Sequence, residues 1–294
     1  MCYTNYGDFM LRLSNEWKDY ICLDAGNGEK LESWNGVILR RPDPQAMWDV
    51  KDYSNWKKVD GFYHRSEKGG GNWDFYKKLS DYWTVSYKHL TFKVTPTNFK
   101  HTGLFPEQAV NWEWMIDKIR NANRPIRVLN LFAYTGGASV ACAYAGASVC
   151  HVDASKRIVS QAKENLTLSG LGDKPVRFIV DDVVKFVERE IRRGKKYDAI
   201  VMDPPSYGKG TNGEVWDIEK DLYPLILKCL EVLSDKPLFF LINSYTAGLA
   251  PTVLQNILTL TMKNGKTSCG EIGLPISKQK LVLPCGIYGR WSED

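Results

Sequence analysis

Apolar positions in this chain follow two rhythms. From about residue 106 onward, short apolar runs of strand length alternate with longer stretches in which apolar residues recur every three or four positions. Runs at 126–132, 147–152, 176–180, 197–202 and 237–242 read as buried strands, with helices expected near 107–121, 138–146, 155–169, 183–193 and 219–233. In the first of these helices Trp112, Met115, Ile116 and Ile119 share one face. Such βα alternation implies a parallel sheet with right-handed crossovers. After a helix near 251–263 come two more strands, at about 266–273 and 279–287, separated only by a short loop with Pro275 and Ser277. A parallel pair needs a long crossover, so these two must form an antiparallel hairpin.

The N-terminal stretch has a different texture. It is rich in Trp and Tyr and broken by turn signals at Gly26-Asn27-Gly28, Asn35-Gly36, Pro42-Asp43-Pro44 and Gly69-Gly70-Gly71. Short alternating runs at 20–23, 37–40 and 83–87 read as strands. The expected organisation is a small β-rich module over residues 1–95 and a larger α/β domain over 96–294. Trp34, Trp48, Trp56, Trp73 and Trp83 are expected mainly as core of that module. A stacking platform for unpaired bases, beside Arg40, Arg41, Lys57 and Lys58, is the alternative.

Composition changes this picture little. A hydrophobic content of 44% in 294 residues suits a chain with a sizeable core, and a formal net charge of +5 allows an RNA partner without requiring one. No apolar run approaches a membrane span and the N-terminus lacks a signal-peptide pattern, so a cytoplasmic protein away from membranes is expected. The seven cysteines, at positions 2, 22, 142, 150, 229, 269 and 285, are odd in number and include no Cys-x-x-Cys. Neither a disulfide frame nor a metal cage is indicated.

Candidate chemistry gathers at the ends of the predicted strands. The first ends in Ala133-Tyr134-Thr135-Gly136-Gly137, a tight turn into a small-residue helix. Gly136 and Gly137 would let the backbone approach a ligand. The spacing is not Gly-x-Gly-x-x-Gly, so a dinucleotide is not the obvious ligand. The second strand ends at Asp153, which can accept both hydroxyls of a ribose, and the third at Asp181-Asp182-Val183, where Asp182 can accept an adenine amino group. A glycine turn and acids at successive strand tips, without a phosphate loop, fit S-adenosyl-L-methionine better than NAD or ATP. The same residues could also be only a turn and helix caps, with Ser155 capping the helix after the second strand.

The fourth strand ends in Asp203-Pro204-Pro205-Ser206-Tyr207-Gly208. Two prolines remove two N–H donors and leave carbonyls to project into a site. Asp203 can accept a hydrogen bond from a target group, and Tyr207 can stack on an unstacked base. The polar stretch 209–213 reads equally as a substrate flap or a surface loop.

These motifs resemble a known family. The segments 130–137 (Asn-Leu-Phe-Ala-Tyr-Thr-Gly-Gly), 181–183 and 203–205 are similar to those of the large-subunit ribosomal RNA methyltransferase I family and its relatives, as is Lys-His-Thr-Gly-Leu-Phe-Pro-Glu-Gln at 100–108. The resemblance covers roughly residues 95–290. It implies a class I methyltransferase (Rossmann-like) sheet of seven strands with the antiparallel terminal hairpin, beside the N-terminal β-rich module. It implies S-adenosyl-L-methionine as cofactor and RNA, ribosomal RNA among the candidates, as substrate. It brings Thr102, Phe105 and Gln108 to the cofactor, alongside Phe132, Ala133, Tyr134, Gly136, Asp153, Ala154, Ser155, Asp182 and Val183. Asp203, Pro204, Pro205 and Tyr207 become the catalytic candidates. A small-molecule or protein methyltransferase and a non-catalytic cofactor-binding protein stand as alternatives.

One departure bears on mechanism. Cytosine C5 is not nucleophilic, and enzymes that methylate it first add a cysteine thiolate to C6. The cytosine-modifying relatives carry Ser-Cys-Ser after the fifth strand. Here that place reads Asn243-Ser244-Tyr245-Thr246, without a thiol. Cys229 sits on an apolar helix face and Cys285 in the last strand. Direct, non-covalent transfer to a nitrogen or oxygen is therefore expected.

Overall fold

The computed structural model describes residues 10–66, 70–97, 100–210 and 213–293. Gly69 of the triple-glycine turn, Cys2, and Thr211 and Asn212 of the polar stretch lie outside the described residues. The chain forms two compact units, one holding Val110–Ile272, Gly286–Asp294 and the segment ending at Arg12, the other Leu13–Ala109 and Gly273–Cys285.

After β1 (Met10–Leu13), the strand-rich unit lays β2 (Tyr20–Gly26), β3 (Glu29–Trp34), β4 (Val37–Pro42), β5 (Gly61–Arg65) and β6 (Gly71–Phe75) side by side in that order. Only the β4–β5 joint is parallel. A separate antiparallel pair is formed by β7 (Trp83–Tyr87) and β8 (Leu90–Val94). The first two hairpins turn on Asn27-Gly28 and Asn35-Gly36, each residue at positive φ, as two-residue turns between twisted strands demand. Leu31, Val50 and Trp56 centre a small core. Trp34 and Trp56 are buried, while Trp48, Trp56 and Trp73 donate their indole N–H groups to Ala25, Asp24 and Thr97 respectively. Arg40 is paired with Glu29 and Arg41 with the buried Glu32. Trp48, Trp73 and Trp83 are half-buried, and the exposed rings among the described residues of this unit are Tyr53, Phe75, Tyr76 and Tyr82, so the platform alternative is weakened chiefly for Trp34 and Trp56.

The other unit is built from α1 (Ala109–Asn121), β9 (Arg127–Leu131), α2 (Gly137–Tyr144), β10 (Ser148–Asp153), α3 (Lys156–Leu168), β11 (Val176–Val180), α4 (Val183–Arg192), β12 (Ala199–Met202), β13 (Tyr207–Lys209), β14 (Val215–Asp217), α5 (Ile218–Glu231), β15 (Phe239–Ser244), α6 (Pro251–Thr261), β16 (Lys266–Ile276) and β17 (Leu281–Ser292). Its sheet runs β11-β10-β9-β12-β15-β17-β16. The first five strands are parallel and β17 is antiparallel to β15. All residues of β12 and β15 are buried, which is why these central strands read as unbroken apolar runs. The helices bury one stripe each, as Val183, Phe186, Val187 and Glu190 do on α4.

The terminal hairpin is longer than its sequence signals suggest. Pro275, expected in the loop, lies inside β16, a position a proline can hold where no ladder N–H is required of it. Strand order reverses between β9 and β12, and ligands of open α/β sheets bind beyond the carboxyl ends of the strands at such a point.

Candidate active site

The turn after β9 is strained and heavily tied down. Phe132 and Tyr134 sit at φ of 52° and 48°, a left-handed conformation that bulky residues adopt at a cost of about 1–2 kcal/mol each. Several hydrogen bonds hold them there. The Asp153 carboxylate accepts from the Tyr134 N–H at 3.0 Å, and the Ala133 N–H reaches the Val152 carbonyl at 3.1 Å. Asn165 donates to the Thr135 carbonyl at 2.8 Å. Beneath the turn Asn130 donates to Ser139 at 2.9 Å, and the Ser139 hydroxyl lies 3.0 Å from His151 Nδ1. Burial lowers the His151 pKa to about 3, so its ring is neutral. This network was not foreseen, although a polar Asn130 and a His151 inside apolar strand runs were its visible signal.

Gly136 and Gly137 are also needed for a reason within the protein. A Cβ on Gly136 would lie 2.9 Å from that of Ala162, and one on Gly137 2.7 Å from the Trp112 ring. The glycines let α3 and α1 pack against the turn, and Gly136, at φ 85°, caps α2. Their smallness serves these protein contacts.

Of the two cap candidates, Ser155 is the one at the N-cap of α3. The Ser155 hydroxyl caps α3 by accepting from the Ile158 N–H. Asp153 binds the Tyr134 and Ser155 N–H groups, one on each oxygen, which leaves each oxygen a further lone pair. Burial raises its pKa, and those two N–H groups oppose the rise. Ala154 is half-buried between them. At the third strand tip Asp182 caps α4 by accepting from Lys185, Val183 is buried, and Asp181 pairs with Arg189.

Beyond β12 the arrangement is more open. The Asp203 N–H reaches the Leu131 carbonyl at 3.4 Å, which sets Asp203 beside the strained turn. Pro204 is buried and Pro205 exposed. The Pro205 carbonyl, expected to face a substrate, accepts from Trp216 Nε1 at 2.7 Å instead, and Trp216 packs on Phe132 at 4.9 Å between ring centroids. Tyr207 is 59% exposed and begins β13, which pairs antiparallel with β14. The described part of the polar stretch thus belongs to a small hairpin, and Lys185 on α4 ion-pairs with its Glu214. Ser206 and Thr246 hydroxyls are 2.8 Å apart and join the tips of β12 and β15.

No cysteine stands at Asn243–Thr246. Cys229 is fully buried and burial pushes its pKa up. Cys285 belongs to the other unit, and its pKa too is pushed well up by burial, with Glu107 adding to the rise. Thr102, Phe105 and Gln108 are likewise in that unit. There Thr102 is fully buried and its hydroxyl has no hydrogen-bond partner among the described residues. Phe105 precedes the short helical turn Pro106–Gln108, and Gln108 is buried.

A parallel sheet with its order reversal between β9 and β12, an acid on the second strand and a left-handed aromatic turn on the first define a class I, Rossmann-like nucleotide-binding enzyme. Residues 62–247 match the family described as S-adenosylmethionine-dependent methyltransferase, and the chain belongs to that family. A solved S-adenosylmethionine-dependent methyltransferase from Agrobacterium tumefaciens is 36% identical, with a TM-score of 0.92 over 100% of this chain and 98% of that one. A ribosomal RNA large subunit methyltransferase K/L from Shewanella frigidimarina is 36% identical over 145 residues, 49% of this chain and 20% of that protein. The large subunit methyltransferase K of Neisseria meningitidis is 26% identical over 229 residues, 74% of this chain and 64% of its own length. The chain thus spans about a fifth of the first of these curated relatives. The class I expectation stands, while these relatives carry the designations K and K/L rather than I. Among the described residues no helix is long and apolar enough to cross a membrane.

Proposed function

We propose that this protein methylates RNA, ribosomal RNA by kinship, by direct transfer from S-adenosylmethionine in the cytoplasm. The observation that carries the reading is the adjacency of the strained turn at Phe132–Tyr134, tied to Asp153, and Asp203 at the point where the sheet order reverses. The donor set fits the cofactor: Asp153 keeps a lone pair on each oxygen for two ribose hydroxyls, and Asp182 and Val183 lie where an adenine edge would meet the third strand tip. Ala133, Tyr134 and Gly136 would offer backbone to the amino-acid end. Thr102, with its unpartnered buried hydroxyl, Phe105 and Gln108 are assigned to the cofactor by family resemblance. When bound, the cofactor supplies an electrophilic methyl group.

The protein's own part is orientation. Asp203 would accept a hydrogen bond from an N–H of the target and aim its lone pair at the methyl carbon, the Pro204 carbonyl assisting. Tyr207 would stack on the target ring. The absence of a thiol on Asn243–Thr246 and the raised thiol pKa values of Cys229 and Cys285 favour transfer without a covalent enzyme–RNA bond. The name of the large-subunit relatives favours RNA over other substrates. Incubation with methyl-labelled cofactor and fractionated cell RNA, protein and metabolites tests the reading. Label is expected in RNA, and uptake confined to protein or metabolites would reject it.

A further inference from the structure

The tip of β15 carries an aromatic ring that the reaction as described does not use. Tyr245 follows directly on Ser244, the last residue of that strand, and is 36% exposed. Its ring is seated: a Cβ built on Gly286 would lie 3.0 Å from the Ser244 carbonyl oxygen and from both Cδ1 and Cε1 of Tyr245, so the ring rests close against the bare β17 backbone at this glycine. The loop that carries it is fixed as well, because the Thr246 N–H donates to Ser244 Oγ at 3.1 Å. Tyr207 is the exposed ring at the start of β13.

The Ser206–Thr246 hydroxyl contact of 2.8 Å relates the two rings. Each tyrosine is one residue away from that contact, so their Cα atoms are no more than about 15 Å apart. That bound admits one planar ring held between two phenol side chains. One ring sits on the strand tip that follows Asp203 and the other on the neighbouring tip.

Resting on the methyl-transfer reading above, we propose that Tyr245 is a specificity-determining residue which, with Tyr207, clamps an unstacked nucleobase against Asp203. The clamp selects for a flat aromatic target presented from single-stranded RNA, because stacking accepts any base face while a paired base cannot enter between the rings. It also explains what the end of the fifth strand does in a chain that keeps no thiol there: it holds the base instead of attacking it.

The test uses the full-length protein and a single-stranded RNA of mixed sequence carrying 2-aminopurine, whose fluorescence falls when the base stacks on an aromatic ring. Affinity for S-adenosylhomocysteine, measured by calorimetry, is the parallel readout that reports an intact fold and cofactor site. Tyr245→Leu should weaken RNA binding about tenfold and lift most of the quench, with S-adenosylhomocysteine affinity unchanged. Tyr245→Phe should retain both. Gly286→Ala, which must displace the ring, should reproduce part of the Tyr245→Leu loss. Binding and quench unchanged in Tyr245→Leu, while the wild-type protein binds and quenches the RNA, would overturn the clamp and leave RNA methylation standing. A wild-type protein that binds S-adenosylhomocysteine but neither binds nor quenches the RNA would overturn both.

Discussion

At the tips of β9 and β10 the polar groups are turned inward: Asp153 holds the Tyr134 and Ser155 N–H groups, Asn165 holds Thr135, and Asn130, Ser139 and His151 form a buried chain beneath. At the tips of β12 and β15 the same kinds of groups face outward: Tyr207 is 59% exposed, Tyr245 36%, and Ser206 and Thr246 meet at a partly open edge. The first region pays for two left-handed aromatic residues with a dense set of bonds, so it arrives at its ligand pre-shaped. The second presents its rings and its acid on a more open edge. On the reading proposed above, a rigid cofactor end is separated from a more open target end, and damage to each should have a distinct kinetic signature.

The largest effect is expected at the target end. Asp203→Ala should lower kcat at least about a hundredfold while leaving S-adenosylhomocysteine affinity nearly unchanged, since the carboxylate acts on the target in the transition state. Steady-state methyl transfer beside calorimetry checks this, and a parallel loss of cofactor affinity would merge the two ends. Asp153→Ala should do the reverse. Removing charge-assisted hydrogen bonds contributing about 1.5–3 kcal/mol lowers S-adenosylhomocysteine affinity at least about tenfold. Unchanged affinity in a folded variant would place the ribose elsewhere.

Much of this division was readable beforehand, and unevenly. Strand positions of the α/β unit followed from apolar runs because β12 and β15 are buried on both faces. The two-residue turns at Asn27-Gly28 and Asn35-Gly36 were legible because their chemistry is local. What escaped was non-local: the Trp216 indole that takes the Pro205 carbonyl, and the packing of Gly136 on Ala162 and Gly137 on Trp112. A glycine in a turn looks the same whether a ligand or another helix approaches it. Phe132 and Tyr134 carry no sequence mark of a left-handed backbone, since glycine or asparagine would be the usual sign.

A smaller effect sharpens the claim that the cofactor end is pre-shaped. His151 titrates near pH 6.5 when unfolded and only near about 3 in the fold. Between those values the unfolded chain binds more protons, so the contribution is fully present above about pH 6.5 and is lost as pH falls, at up to about 1.4 kcal/mol per unit. Urea unfolding between pH 7 and 4 should show this slope, and His151→Gln should flatten it. An unaltered slope would mean that the buried ring is not what titrates. Smallest of all should be the double change of Cys229 and Cys285 to Ser, which should leave the methyl-transfer rate within about twofold, apart from stability lost at buried positions. A collapse in rate with the fold intact would return a thiol to the target end.

That last point reaches the centre of the account, which is direct transfer from an end that holds its target without bonding to it. RNA containing 5-fluorocytosine traps an enzyme that adds a thiolate to the ring, and the complex survives a denaturing gel. With this protein, S-adenosylmethionine and RNA that takes up methyl label, no band of protein-linked RNA is expected. A stable adduct that disappears when Cys285 is replaced by Ser would contradict the account and make cytosine C5 the target.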